Sequence, residues 1–333
     1  MFMAGQGRQD RHTAARVAQG VSGGKPDRFD TLKRRYDFHL GEAIRAGLQG
    51  SHDKAAGHSG QALLISRKLC ADAADPGLHA PELAAALCAH ARYGGGAWQA
   101  IAMLTESAGH YAALAEANPA AYEVPRIDVL TRIALASDAA GNTGDAIGLL
   151  REVVGMYLKA PATDQEERDI GLARARFHLG RCLLASGQGA DGLAETQAGL
   201  ELAEDVLDRL AVVPRGDDTP DKPEMPAPEA GWLVAAPRYL QLAAPDWAAA
   251  AVRAMTLYAG EGQLARAATA ARTAVLVSGG LAELGGDLLR DVHAAIAARA
   301  AAVTAEAGKH ADGCVRAGKA AHAPVQSDLG VED

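Results

Sequence analysis

Residues 133–147 read IALASDAAGNTGDAI, and this stretch decides the fold because versions of it recur on both sides. Residues 87–101 and 179–193 share its framework: an aliphatic residue, a glycine eight positions later, and a small residue five positions after the glycine. The glycines, which stand 46 residues apart, are Gly95, Gly141 and Gly187. A fixed period of this length is typical of a supersecondary unit that stacks on copies of itself.

Each periodic glycine separates two apolar patterns of helical period, so each copy predicts a helical hairpin. The three hairpins are expected at 81–93 with 98–117, 125–140 with 143–158, and 165–185 with 190–210. Earlier helices are predicted over 29–48 and 61–74, separated by a polar loop at 50–60, and later ones over 246–258, 263–277 and 281–307. Helices joined this tightly must run antiparallel. The sequence therefore predicts an all-α solenoid of stacked antiparallel helical hairpins.

Composition divides the chain into five parts. The expected parts are a disordered leader at 1–27, a helical array at 28–211, a linker or loop rich in proline and acids at 212–231, C-terminal helical repeats at 232–308, and a flexible tail at 309–333. Five prolines among acidic residues prevent a helix from persisting through the linker. The leader and the tail are small and polar and show no helical period.

The overall composition favours a helical core and excludes some function classes. Hydrophobic residues make up 49% of the 333 residues but aromatic residues only 4%, so the core is expected to consist of small aliphatic side chains. A net charge of −8 gives no global electrostatic reason to bind nucleic acid. The chain has no secretory signal, no apolar run of 18 residues and no C-x-x-C pair. These features predict a cytoplasmic protein that binds neither membrane nor nucleic acid.

A family resemblance adds to this interpretation. Residues 114–123 read LAEANPAAYE, and Leu130, Gly141, Ala146, Ile147 and Tyr157 follow at fixed distances. This segment resembles the long-period variety of tetratricopeptide repeat found in arrays of actinobacterial regulatory and signalling proteins. The resemblance implies a bacterial, non-enzymatic scaffold that binds a protein or peptide through the groove formed by the first helix of each hairpin. It implies no cofactor.

The helix phase of the repeats nominates eight residues for the concave groove. They are Glu82, Arg92, Asp128, Thr131, Asp138, Arg174, Phe177 and Arg181. Mixed charge with an aromatic ring suits a peptide whose backbone and termini need polar contacts. The alternative for each residue is an ordinary solvated position on a helix.

Two other functions stay open at the level of sequence. One is a helical enzyme or small-molecule binder with a central cavity, which converging carboxylates or large cavity-lining aromatics would support. The other is self-association, because an uncapped terminal repeat leaves apolar surface exposed.

Motifs typical of catalytic, phosphate-binding or metal sites are matched only weakly in this chain. The acidic run DDTPD at 217–221 matches the D-D-x-x-D pattern of diphosphate enzymes, but a proline interrupts it. The stretch GVSGGKP at 20–26 has the wrong glycine spacing for a phosphate loop. Histidine, cysteine and aspartate near 52–58, 88–90 and 310–314 lack the four ligands of a structural zinc site. We therefore predict no catalytic, cofactor-binding or metal-ligating residues.

Overall fold

The computed structural model describes residues 28–161, 165–210, 233, 238–284 and 287–321. Within these residues there is no strand, and eleven α-helices follow one another. They are α1 (Arg28–Leu48), α2 (His52–Asp72), α3 (Ala80–Tyr93), α4 (Ala97–Ala117), α5 (Pro119–Ala139), α6 (Thr143–Lys159), α7 (Gln165–Ala185), α8 (Gly189–Arg209), α9 (Arg238–Gly260), α10 (Leu264–Leu284) and α11 (Asp287–Ala321). The predicted leader and linker, with the motifs at 20–26 and 217–221, lie outside the described residues, as does the tail beyond 321.

The helices pack against their neighbours in chain order, which confirms the prediction of an all-α solenoid. First helices of successive hairpins also touch: α1 packs on α3, α5 on α7, and α7 on α9. One buried cluster runs from α7 and α8 into α9, α10 and α11, with Phe177 and Trp247 among its members. The C-terminal helices therefore share a core with the array that precedes them.

Four hairpin turns have the same backbone geometry, and each contains a glycine with a positive φ. The glycines are Gly50 at 73°, Gly141 at 90°, Gly187 at 82° and Gly262 at 72°. In each turn the N–H after the glycine donates to the carbonyl five residues earlier, at 2.8 to 2.9 Å. This is the Schellman arrangement, which satisfies the last carbonyls of a helix and favours glycine because it lacks a Cβ.

The turn geometry corrects one prediction and distinguishes Gly95 from the other turn glycines. Gly50 makes the same turn as the other three glycines, so α2 begins at His52 and the predicted polar loop at 50–60 does not exist. Gly95 does not make this turn: no positive φ occurs at residues 94–96, and Gly96 is extended before α4. The 46-residue spacing therefore identified the hairpin at Gly95, although its turn has a different backbone geometry from the other four.

The small residue five positions after each turn glycine lies in the packed interface between the two helices. The residues at this position are Ala55, Ala100, Ala146, Gly192 and Ala267, and all are buried. At Gly192 an added Cβ would lie 2.9 Å from the carbonyl oxygen of Gly180 on the facing helix. Small side chains thus allow the two helices of each hairpin to approach closely.

Three helix boundaries differ from the prediction: the starts of α5 and α9 and the end of α11. The helix α4 ends at Ala117 as predicted, but the next helix, expected from 125, already begins at Pro119, whose missing N–H costs nothing in the first turn of α5. Pro125 consequently lies inside α5, and Pro245 lies inside α9. The last helix runs to Ala321, well into the segment predicted as a flexible tail.

Candidate functional site

A cavity of about 350 Å³ opens between α3 and α5. These two first helices form its facing walls, while α1 and α7 close its sides. Tyr111 of α4 and Tyr157 of α6 also line the cavity. The cavity therefore lies on the face where the first helices of four successive hairpins converge.

The space exists because the side chains of α3 are small where it faces α5. Ala85, Cys88 and Ala89 line this wall, and Pro125 and Val129 line the opposite one. Close packing is found between α1 and α3 and between α5 and α7, whereas α3 and α5 are held apart. Small residues on one helix and a looser helix pair thus leave room for a ligand.

An ion triad crosses the cavity from α5 to α7. Nε of Arg132 donates to Oδ2 of Asp128 at 2.8 Å, and Nη2 of Arg174 donates to Oδ1 of the same carboxylate. Asp128 and Arg174 stand 46 residues apart, so they occupy equivalent positions in successive hairpins. Burial alone would raise the pKa of Asp128, but the two guanidiniums outweigh it and lower that pKa. Asp128 is therefore an ionised, fully engaged carboxylate.

A second cavity of about 210 Å³ shares Cys88, Arg92, Arg132 and Arg174 with the first and extends to Asp246 of α9. Oδ2 of Asp246 lies 3.4 Å from Nε2 of His178 and 4.0 Å from Nε of Arg174. Burial would raise the pKa of Asp246, and the close approach of His178 with the charge of Arg174 reverses this and lowers it. The helix α9 is thus tied electrostatically to the same network.

Two buried polar groups at the main cavity have no hydrogen-bond partner among the described residues: the hydroxyl of Tyr157 and Nε of Arg174. The residue exposure is 0% for Tyr157 and 5% for Arg174. The Tyr157 ring rests on α7 at Gly171, where an added Cβ would lie 2.5 Å from its hydroxyl oxygen. Burial raises the pKa of Tyr157, so its hydroxyl keeps its proton at neutral pH. Both groups are available hydrogen-bond donors.

Two arginines on this side of the array form no ion pair with the described residues. Arg92 of α3 is exposed, lines both cavities and lies over the ring of Tyr93, 5.7 Å from its centroid. Arg253 of α9 is also exposed; desolvation lowers its pKa and Arg181 lowers it further, whereas Asp246 raises it. By contrast, Arg181 pairs with Asp138 at 2.6 Å. The charges left without a partner here are positive.

The structure brings three of the eight predicted groove residues together at the cavity: Arg92, Asp128 and Arg174. The pair Asp138 and Arg181 joins the ends of α5 and α7, outside the cavity lining. Glu82 lies at the start of α3, with its carboxylate 3.7 Å from Nζ of Lys33 on α1. No observation tests a binding role for any of these residues, which stays a prediction.

Thr131 and Phe177 correct the predicted set, because neither side chain is exposed on the groove. Thr131 is fully buried, and its hydroxyl donates to the carbonyl of Ile127. Phe177 is 2% exposed and meets Trp247 of α9 edge to face, with ring centroids 6.5 Å apart. Packing of α9 against α7 covers Phe177, and the repeat phase alone does not predict that contact.

Several cavity residues were missed by the sequence reasoning. Arg132 follows Asp128 by one helical turn, a spacing that favours an ion pair. Tyr111 and Tyr157 stand 46 residues apart, so the same period that fixed the hairpins could have found them. Asp246 and Arg253 had no such signal, since their helix follows the proline-rich break.

Comparison with known protein families and with curated proteins finds no match for this chain. Among the described helices, none combines the length and hydropathy needed to cross a bilayer. Within the described residues, no three or more metal-ligating side chains come together. The geometry of the concave face is therefore the main basis for a functional proposal.

Proposed function

We propose that this protein is a non-enzymatic helical-repeat scaffold, similar to tetratricopeptide arrays, that binds a protein or peptide segment on its concave face. The observation that carries the proposal is a formed cavity with an exposed arginine, Arg92, in its lining, which makes no ion pair with the described residues. A second exposed arginine without an ion pair among these residues, Arg253, lies on α9 near Arg181 and Asp246. A role as the regulatory or adaptor component of a bacterial system fits such a receptor.

The unpaired charges indicate what kind of segment would bind. Asp128, Asp138 and Asp246 lie beside positively charged partners. Asp246 influences both Arg92 and Arg253, but neither arginine forms an ion pair with a described residue. A segment that presents carboxylates or carbonyl oxygens along its length is complementary to this surface. Because the helices are already packed around the cavity, binding would require little ordering of the receptor.

The state of the carboxylates favours binding over acid–base catalysis. A general acid or base works best with a pKa near the operating pH. At the cavity, arginines lower the pKa of Asp128, and His178 with Arg174 lowers that of Asp246. These groups serve as fixed partners in ion pairs, which supports a receptor role.

Affinity capture from the native host tests the proposal. Wild-type protein is compared with the double variant Arg92→Glu, Arg253→Glu and with the control Arg34→Glu, which reverses the charge of an exposed arginine on α1. We expect the double variant to lose one specific protein that the wild type and the control both retain. Equal recovery by all three would refute the assignment of the concave face.

Arg174 and Arg181 are poor choices for this experiment because both are held in ion pairs. Charge reversal there would place like charges together and disturb folding as well as binding. The exposed arginines avoid this ambiguity.

A second candidate function is the binding of a small molecule in the cavity. It is favoured by the two tyrosines that line the cavity, Tyr111 and Tyr157, and by the donors without a hydrogen-bond partner there. Self-association stays a prediction, and light scattering at two concentrations would test it.

A further inference from the structure

We propose that the cavity between α3 and α5 is a binding site for a carboxylate carried on an apolar body. The inference goes beyond segment binding on the concave face, because it assigns a ligand chemistry to one cavity. It shares Arg92 with the proposed function but does not require Arg253. The two can therefore fail separately.

The hydrogen-bonding groups left open at the cavity can all donate. Arg92 offers its whole guanidinium, and Nε of Arg174 is buried without a partner. An arginine nitrogen can only donate, and the Tyr157 hydroxyl lacks an acceptor as well. Two carboxylates lie nearby: Asp128 already receives Arg132 and Arg174, and Oδ2 of Asp246 lies 4.0 Å from Nε of Arg174, beyond hydrogen-bond distance. The occupant must therefore supply the acceptor.

Electrostatics at the cavity favour a negatively charged acceptor. Desolvation lowers the pKa of Arg92. Tyr93 and Asp246 raise this pKa, but the positive charges of Arg132 and Arg174 lower it, and the net direction is downward. An anion beside Arg92 would relieve this repulsion. The carboxylate of Glu167 also lines the cavity, but it has an interaction of its own. Charge-assisted bonds to a carboxylate are stronger than neutral ones.

The remaining lining of the cavity is apolar and suits a hydrophobic ligand body. The side chains that contribute are Leu40, Ile44, Ala89, Val124, Val129 and Ile170. A volume of about 350 Å³ lies at the small end of ligand sites in proteins. The size matches a small organic acid, or the last residue of a peptide with its terminal carboxylate.

Isothermal titration calorimetry on the full chain tests the chemistry with 4-phenylbutyrate and its neutral analogue 4-phenylbutyramide. We expect the acid to bind at least about tenfold more tightly than the amide, because only the acid makes a charge-assisted bond. Arg92→Gln should weaken binding of the acid by a similar factor, whereas Arg34→Gln should not. Tyr157→Phe should weaken binding of the acid while preserving the packing of the ring.

A chemical footprint tests the location. The side chain of Cys88 lines both cavities, whereas Cys70 on α2 lines neither. We expect saturating 4-phenylbutyrate to slow alkylation of Cys88 by N-ethylmaleimide, measured by peptide mass spectrometry. Alkylation of Cys70 serves as the internal control and should keep its rate.

Peptides identify the source of the carboxylate. If a peptide ending in phenylalanine binds and its C-terminal amide does not, while 4-phenylbutyrate fails, the carboxylate chemistry stands and the ligand is a peptide terminus. The inference is overturned if neither carboxylate binds better than its amide, or if Arg92→Gln and Tyr157→Phe both leave binding unchanged. Arg253→Glu should not affect binding of the acid. If partner capture fails while the acid still binds, the result counts only against the segment-binding proposal.

Discussion

Replacement of Asp128 by asparagine should be the most damaging single change at the cavity. The substitution keeps the size of the side chain but removes the charge that holds Arg132 and Arg174. The side chains of these arginines are 18% and 7% exposed, so their charges would lose their partner in a poorly hydrated place.

The expected cost follows from that burial. Removal of one member of a buried ion pair destabilises a protein by about 3–5 kcal/mol. The Asp128 side chain is 28% exposed, and Arg174 keeps Asp246 at 4.0 Å, so we expect the lower end, about 3 kcal/mol. The matched control is Glu42→Gln, which breaks a pair with the 65% exposed Arg45 and should cost less than about 1 kcal/mol.

Urea denaturation followed by circular dichroism at pH 7 measures both free energies of unfolding. If Asp128→Asn costs no more than Glu42→Gln, the ion triad does not stabilise the fold and the reasoning is wrong. The difference between wild type and Asp128→Asn should also depend on pH. Because the folded protein lowers the pKa of Asp128, its contribution is complete above the unfolded pKa of about 3.9 and is lost as the pH falls through the lower folded value.

Three further outcomes are expected from the packing. Gly171→Ala should destabilise the protein by about 1–3 kcal/mol, because its Cβ would meet the Tyr157 hydroxyl. Gly148→Ala, in open space on α6, should stabilise it by up to about 1 kcal/mol. Thermal unfolding measures whether each change lowers or raises stability. Gly187→Ala should cost about 1–2 kcal/mol by urea titration, since its φ is 82°. Truncation after Leu210 should lower the thermal midpoint, because it uncovers Phe177; an unchanged midpoint would contradict the shared core.

The period in the sequence was sufficient to predict the fold but only part of the site. Spacing identified the hairpins, and the same spacing places Asp128 opposite Arg174. The cavity could not be predicted, because it depends on how far α3 and α5 stand apart. Burial of Phe177 could not be predicted either, since α9 reaches it across a segment that carries no repeat signal.

The turn at Gly50 shows a different limit. The polar composition of residues 50–60 favoured a loop, yet the glycine closes a Schellman turn and α2 begins at once, with His52, Asp53 and Lys54 exposed and Ser59 buried. Local composition was outweighed by the helix that these residues complete. The periodic pattern predicted the hairpins where it was strict. Polar composition misled where that pattern was absent, at residues 50–60.

The most direct test of the account is the affinity of the captured partner segment for the concave face. Fluorescence anisotropy would compare the dissociation constants of the wild type, Arg92→Glu and Arg34→Glu for that segment. We predict that Arg92→Glu weakens binding at least about tenfold, because an unpaired donor becomes a repelling charge, while Arg34→Glu changes it by less than about twofold. Equal dissociation constants for all three proteins would contradict the claim that this face is the binding surface.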